Sequence, residues 1–161
     1  MRNETEANRA MDLYADMVRR ICFVHMKNHA DVEDVFQEVF LKYILYDKQF
    51  YSDAHEKAWL IRVAVNACKD MLKSFFRRKT DFIEDAGQAY VYNFDQGERE
   101  VLDAVFRLPD KYRDVIYLFY YEGYSAVEIA GILKKKVNTV YTWLDRAKKM
   151  LKGQLGGEPD E

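Results

Sequence analysis

Between residues 137 and 151 the apolar and polar side chains separate at a helical pitch. Val137, Val140, Leu144, Ala147 and Leu151 recur at alternating steps of three and four, which gives a helix one apolar stripe and requires a core beneath it. At about 100° per residue the other side presents Asn138, Thr139, Thr142, Asp145, Arg146 and Lys149. Such amide, hydroxyl and cationic groups hydrogen-bond base edges and phosphates. From Lys134 to Lys152 there are seven Lys or Arg against one acid, a local excess of six positive charges in a chain whose net charge is −2. Local sign decides what a surface attracts. A charged helix standing alone is more often the solvated face of an ordinary three-helix unit.

A second constellation lies upstream. Arg62, Asn66, Lys69, Lys73 and Arg77 fall within an arc of about 80° on one helix, opposite Leu60, Ile61, Ala64, Val65, Cys68, Met71, Leu72 and Phe75. A cationic row at this pitch can follow a phosphate backbone, and the amide within it can hydrogen-bond a base. Trp59 borders the row and could stack on an unpaired base, or it could be a core tryptophan. Phe50 and Tyr51, in the stretch before it, are as compatible with a working loop as with rings tucked into a core.

A third grouping points to little. Cys22, His25 and His29 stand at steps of three and four, a spacing that can turn soft and borderline ligands to one helix face. No fourth ligand stands at comparable spacing, so a structural role is the expectation and no metal or cofactor is assigned. No nucleophile–base pair or phosphate-cradling loop is present in the sequence, so no catalytic residue is expected.

The elements that must position these groups follow from composition and period. The chain of 161 residues has room for one domain or two small ones, and a hydrophobic fraction of 49% is ordinary for a globular protein. Seven glycines, two prolines and apolar steps of three and four favour an all-α chain. The first residues are polar and no apolar run approaches membrane-spanning length, so neither a signal peptide nor membrane insertion is expected. Cys22 and Cys68 lie within apolar helical patterns and suit buried thiols in a reducing cytoplasm.

Helices are expected over 11–26, 31–46 and 54–79. The first turns Leu13, Met17, Val18, Ile21, Cys22 and Val24 inward, and residues 28–31 read as the loop where it ends. The second buries Val32, Val35, Phe36, Val39, Phe40 and Tyr43, leaving Asp34, Gln37, Glu38, Leu41 and Lys42 outside. An exposed leucine among acids suits a docking surface, though alone it is more often plain surface. Residues 47–56 read as a loop. Residues 80–97 hold four acids with no Lys or Arg and read as an acidic linker, apolar enough to fold onto a partner.

A helix over 98–107 opens the second domain, and Pro109-Asp110 starts another. Gly123 ends it, and Ser125-x-x-Glu128 is a capping box for a short helix burying Val127, Ile129, Ala130 and Leu133. With the helix over 137–151, this predicts a helix-turn-helix. The expected organisation is two small helical domains, 1–79 and 98–161, joined by a linker over 80–97.

Two blocks carry a resemblance. Asp31-Val-Glu-Asp-Val-Phe-Gln-Glu-Val-Phe40, followed by Ala58-Trp-Leu-Ile-Arg-Val-Ala-Val-Asn66, resembles the N-terminal domain of bacterial sigma factors of the sigma-70 family, in their small extracytoplasmic-function class. The block from Leu108-Pro-Asp to Ala147-Lys-Lys resembles their C-terminal domain. The resemblance implies a dissociable subunit of RNA polymerase that confers promoter recognition and carries no catalytic residue. Asp34, Gln37, Glu38 and Leu41 match the surface for the clamp helices of the largest polymerase subunit. Phe50 and Asn66 match positions that capture a base flipped from the minus-ten element, which places Tyr51, Trp59, Arg62, Lys69, Lys73 and Arg77 beside that strand. Flipping costs a few kcal/mol of stacking, which a pocket and hydrogen bonds can offset.

The last helix matches the one that enters the major groove at the minus-thirty-five element, making Lys136, Asn138, Thr139, Tyr141, Thr142, Arg146 and Lys149 its expected contacts. The linker matches the segment that passes near the RNA path. The family often has a glycine in the turn and a capping serine where this chain has Lys134 and Lys136, so Asn138 is the expected cap. Tyr141 and Trp143 stand where a lysine and an arginine are common, so the promoter sequence does not transfer. The partners implied are core RNA polymerase and promoter DNA, with an anti-sigma factor as a further one. A helix-turn-helix repressor acting without polymerase and an interaction adaptor with solvated cationic faces remain the alternatives.

Overall fold

The computed structural model describes residues 1–74 in full, the backbone of 75–78, and residues 95–154. Among the described residues every regular element is helical, as the apolar periodicity predicts. The chain divides into two compact units, Met1–Tyr92 and Asn93–Glu161.

The N-terminal unit packs α1 (Glu4–Phe23), α2 (His29–Leu45) and α3 (Asp53–Arg78) against one another in all three pairings. Helix α1 starts well before residue 11 because Asn3 closes a capping box with Glu6, satisfying two backbone N–H groups that a helix start leaves without partners. Its buried stripe runs Ala7, Ala10, Tyr14, Met17, Val18, Ile21 and Cys22, and Leu13, counted in the expected apolar share, falls beside that stripe and is 56% exposed. Asn28 caps α2 by accepting the Asp31 N–H, so His29 and Ala30 belong to that helix and not to a loop. All six apolar positions expected along α2, from Val32 to Tyr43, are buried. In α3 the stripe Leu60, Ile61, Ala64, Val65 and Cys68 is buried as its spacing requires, and Ala67 joins it. Each large apolar side chain in such a core contributes about 1.5–3 kcal/mol.

The C-terminal unit has α4 (Gln96–Phe106), α5 (Asp110–Ile116), a π-helical turn over Tyr117–Tyr121, α6 (Ala126–Leu133) and α7 (Val137–Gln154). Asp95 forms a capping box with Glu98, so α4 begins two residues earlier than expected and takes Gln96 and Gly97 from the linker. Residues 80–94 of the expected linker lie outside the described residues. Gly123 has φ +80, which side chains resist, and it redirects the chain into Ser125. The Ser125–Glu128 capping box opens α6 as expected. Val127 corrects the expected core: on this short helix it is 63% exposed, while Ala126, Ile129 and Ala130 face inward. Helix α7 packs on α4, α5 and α6, with Val140, Leu144 and Ala147 buried.

Candidate nucleic-acid interface

The start of α3 is an aromatic cluster. Phe50 stacks on Tyr46 at 5.4 Å between ring centres and lies nearly parallel to Tyr43 at 6.1 Å. Trp59 meets Phe50 edge-on at 5.6 Å and also contacts Tyr46 at 4.7 Å and Tyr43 at 6.2 Å. Offset and edge-on contacts satisfy the ring quadrupoles, so the cluster is a fixed platform with Phe50 and Trp59 each half-buried in it. Tyr51 turns the other way. It is 93% exposed, stacks on His55 at 4.9 Å, and its backbone N–H donates to His55 Nδ1. The Phe50–Tyr51 pair thus divides, one ring into the cluster and one into solvent.

From Trp59 the helix carries Asn66 two turns onward, about 10 Å along the axis. Asn66 and Lys73 are exposed, and Arg62 and Lys69 are half-exposed, on the side away from the buried stripe. The side chain of Arg77 lies outside the described residues. Trp59 therefore joins the aromatic cluster, built otherwise from the end of α2 and the loop after it, to the helix that carries the amide and the three described cations.

Beneath the cluster lies a polar network that the sequence reading did not find. Glu56, 5% exposed, accepts from the Tyr43 hydroxyl at 2.6 Å and from Arg9 Nη1 at 3.1 Å. Arg9 Nη2 reaches Asp53 at 2.8 Å. Burial and then the Glu56 hydrogen bond push the Tyr43 phenol well above the ordinary tyrosine value, while the Glu56 hydrogen bond and charge raise Arg9. Helix α3 begins at Asp53, one residue before the helix expected from 54, so residues 53–56 are its first turn and Glu56 stands at the head of the Leu60–Ala64 stripe. A carboxylate on an apolar stripe implies a buried partner, and that was the legible signal.

On α2, Asp34, Gln37, Glu38 and Leu41 are all exposed along one stripe, with Leu41 at 56% and Leu45 extending it at 59%. Glu38 pairs with Lys42 at 3.0 Å on the same surface. Among the described residues no group of three His, Cys, Asp or Glu side chains is placed to hold a metal, and Cys22 and His25 are buried. No described helix is long and apolar enough to cross a membrane.

In the C-terminal unit, Asn138, Tyr141, Thr142, Arg146 and Lys149 are exposed on one side of α7, Thr139 is half-exposed there, and Lys136 is exposed just before it. Asp145 pairs with Lys149 at 3.3 Å, both largely exposed, so the pair is weak and Lys149 stays available. Two expectations about the turn are corrected or explained. Asn138 is the second residue of α7 and not its cap; the helix follows Lys136, whose carbonyl accepts the Val140 N–H at 3.2 Å and whose side chain has no acceptor to offer. Lys134 takes the left-handed conformation, φ 56 and ψ 50, where a glycine would cost less. Trp143 is half-buried and meets Tyr112 edge-on at 6.4 Å, so it serves packing between α5 and α7 and leaves Tyr141 as the aromatic group on the outer face.

Comparisons with known families match both parts of the chain. The family model for Sigma-70 region 2 matches residues 10–79, and that for Sigma-70 region 4 matches residues 98–151. The chain is 29% identical over 164 residues to the ECF RNA polymerase sigma factor SigW of Bacillus subtilis, covering 90% of this chain and 86% of that protein. It is 32% identical over 143 residues to the ECF RNA polymerase sigma-E factor of Escherichia coli K12, covering 78% and 74%. Its fold is similar to that of the sigma factor RpoE of Bartonella quintana, solved with the anti-sigma factor NepR, at a TM-score of 0.75 and 21% identity, covering 92% of this chain and 96% of that one. CnrH, solved with the cytosolic domain of CnrY, gives a TM-score of 0.67 at 21% identity, covering 96% and 90%. With both regions matched over most of its length, the chain belongs to the extracytoplasmic-function class of the sigma-70 family, the RNA polymerase sigma factors that direct transcription initiation.

Proposed function

We propose that the protein divides promoter opening between its two units. The α2 stripe of Asp34, Gln37, Glu38 and Leu41 docks on the clamp helices of core RNA polymerase. Helix α7 enters the major groove at the minus-thirty-five element, where Asn138, Thr142 and Arg146 address base edges while Lys136 and Lys149 hold phosphates. Phe50 and Asn66 then capture an unpaired minus-ten base, with Tyr51, Trp59, Arg62, Lys69, Lys73 and Arg77 tracking the strand. Residues 1–79 and 98–161, the latter extended to Gln96 by α4, are the working parts, and the rest of the 80–97 linker passes between them through polymerase. The protein supplies no catalytic group, acts in the cytoplasm, and takes an anti-sigma factor as a further partner, a reading supported by the similar Bartonella fold having been solved with one.

The observation that carries this reading is the arrangement around α3: an aromatic cluster that Trp59 joins to the helix, an exposed amide two turns on from Trp59, and cations on the same side. Stacking holds a base by its face, the amide by its edge, and the cations by its phosphates. Replacing Asn66 by Ala removes only the edge contact. Permanganate footprinting of unpaired thymines with core polymerase should show open complexes reduced about tenfold, as loss of a base-edge hydrogen-bonding group predicts, with core binding unchanged. Opening at the wild-type level would exclude Asn66 from base capture.

A further inference from the structure

Arg2, ahead of α1, makes a set of contacts that the roles above do not use. Its backbone N–H donates to the Ile44 carbonyl at 2.8 Å, its Nε to the Tyr43 carbonyl at 3.2 Å and its Nη2 to the Lys48 carbonyl at 2.7 Å. The guanidinium carbon lies 4.7 Å from the centre of the Phe50 ring and 4.8 Å from that of Tyr43. Although Glu6 pairs with it at 3.4 Å, the side chain is only 7% exposed.

These contacts have a common purpose. The Tyr43 and Ile44 carbonyls belong to the last turn of α2, where a helix runs short of donors and the Tyr46 N–H is shared between the Lys42 and Tyr43 carbonyls, and a cation there also suits the negative end of the dipole. The Lys48 carbonyl and the Phe50 ring belong to the stretch between α2 and α3. One planar guanidinium therefore ties the end of a helix to the loop that leaves it and to the aromatic ring within that loop. Arg2 and Phe50 also wall a common cavity of about 190 Å³, with Arg9, Tyr43 and Glu56 among its other walls.

We infer that Arg2 is a positioning residue for base capture, fixing the loop so that Phe50 is already in place when an unpaired minus-ten base arrives. The inference rests on the reading of Phe50 given above. A capture loop that must order itself on binding loses affinity to the entropy of ordering, and a pinned loop does not. Lysine cannot replace the fork, because an ammonium is a compact point charge without the planar donor geometry that joins two carbonyls and a ring face.

The test uses the full chain with core RNA polymerase on a promoter it initiates from, with each non-template minus-ten nucleotide replaced in turn by an abasic site. Open complexes are scored by permanganate. Wild type should lose about a hundredfold at the captured position, where stacking and edge contacts both go, and Arg2→Ala and Arg2→Lys only about tenfold there, because the Phe50 contact is already forfeited while that of Asn66 remains. Core binding by both variants should match wild type. Arg2→Lys keeps the stem and charge, so it preserves the test if Arg2→Ala fails to fold. Full abasic sensitivity in either variant overturns the inference alone; a wild type insensitive at every position overturns the reading of Phe50 and the inference with it.

Discussion

Glu56 puts a carboxylate where α3 meets the core, and the Tyr43 hydroxyl and the Arg9 guanidinium answer it. A buried carboxylate without partners would be strongly unfavourable, and hydrogen bonds to a charged group contribute about 1.5–3 kcal/mol. The same contacts set a pH response. Because the Tyr43 value is raised in the fold, the neutral phenol is the preferred form. Its stabilisation is whole below about pH 10, the ordinary tyrosine value, and is lost as pH rises through the higher folded value. Urea unfolding read by Trp59 fluorescence in a Trp143→Phe background should hold steady to about pH 9 and decline above about pH 10. Tyr43→Phe should lower stability near neutrality by about 1.5–3 kcal/mol and shallow the alkaline decline, and an unchanged alkaline slope would contradict the network. At this scale the sequence was legible for periodic residues and not for paired ones. Spacing located the α2 core, but nothing in it coupled Glu56 to Arg9, 47 residues away, or Arg2 to the Lys48 carbonyl, 46 away.

The helix-turn-helix shows how an element can hold its form against a local preference. Lys134 sits at φ 56, a conformation that opposes a side chain by about 1–2 kcal/mol and that a glycine accepts freely. Lys134→Gly should therefore raise the stability of the C-terminal unit by about 1 kcal/mol in thermal unfolding, in spite of adding flexibility to the unfolded chain. A loss of stability would mean that the side chain contributes more than its backbone costs. The turn also explains what was legible in this element. The Ser125–Glu128 box and the α7 stripe are local signals and located both helices. Val127 misled because α6 is only eight residues long, too short for its apolar count to reveal which side faces the core. Asn138 misled because a capping residue is defined by where the helix begins, and α7 begins one residue before it. The early starts of α1 and α4 share one cause, a capping box that lies before the first apolar repeat.

At the scale of the whole molecule, a net charge of −2 conceals a cationic C-terminal helix and a cationic row on α3, while the exposed α2 stripe presents acids and two leucines. Local fields of opposite sign are what the proposed division of surfaces between nucleic acid and polymerase requires. The order of the two blocks, rather than either alone, made the family legible, and the matches to Sigma-70 regions 2 and 4 lie in that same order. Which bases are read was not legible, because Tyr141 and Trp143 depart from the family pattern and only Tyr141 remains on the outer face of α7. On the function proposed above, this chain opens promoters only as a subunit of RNA polymerase. Reconstituted transcription with core polymerase on a library of promoter fragments tests it most directly. Transcripts should require both core and this protein and come from fragments sharing a minus-thirty-five and a minus-ten motif at fixed spacing; no core-dependent initiation on any fragment, with tight duplex binding by the free protein instead, would overturn the proposed function.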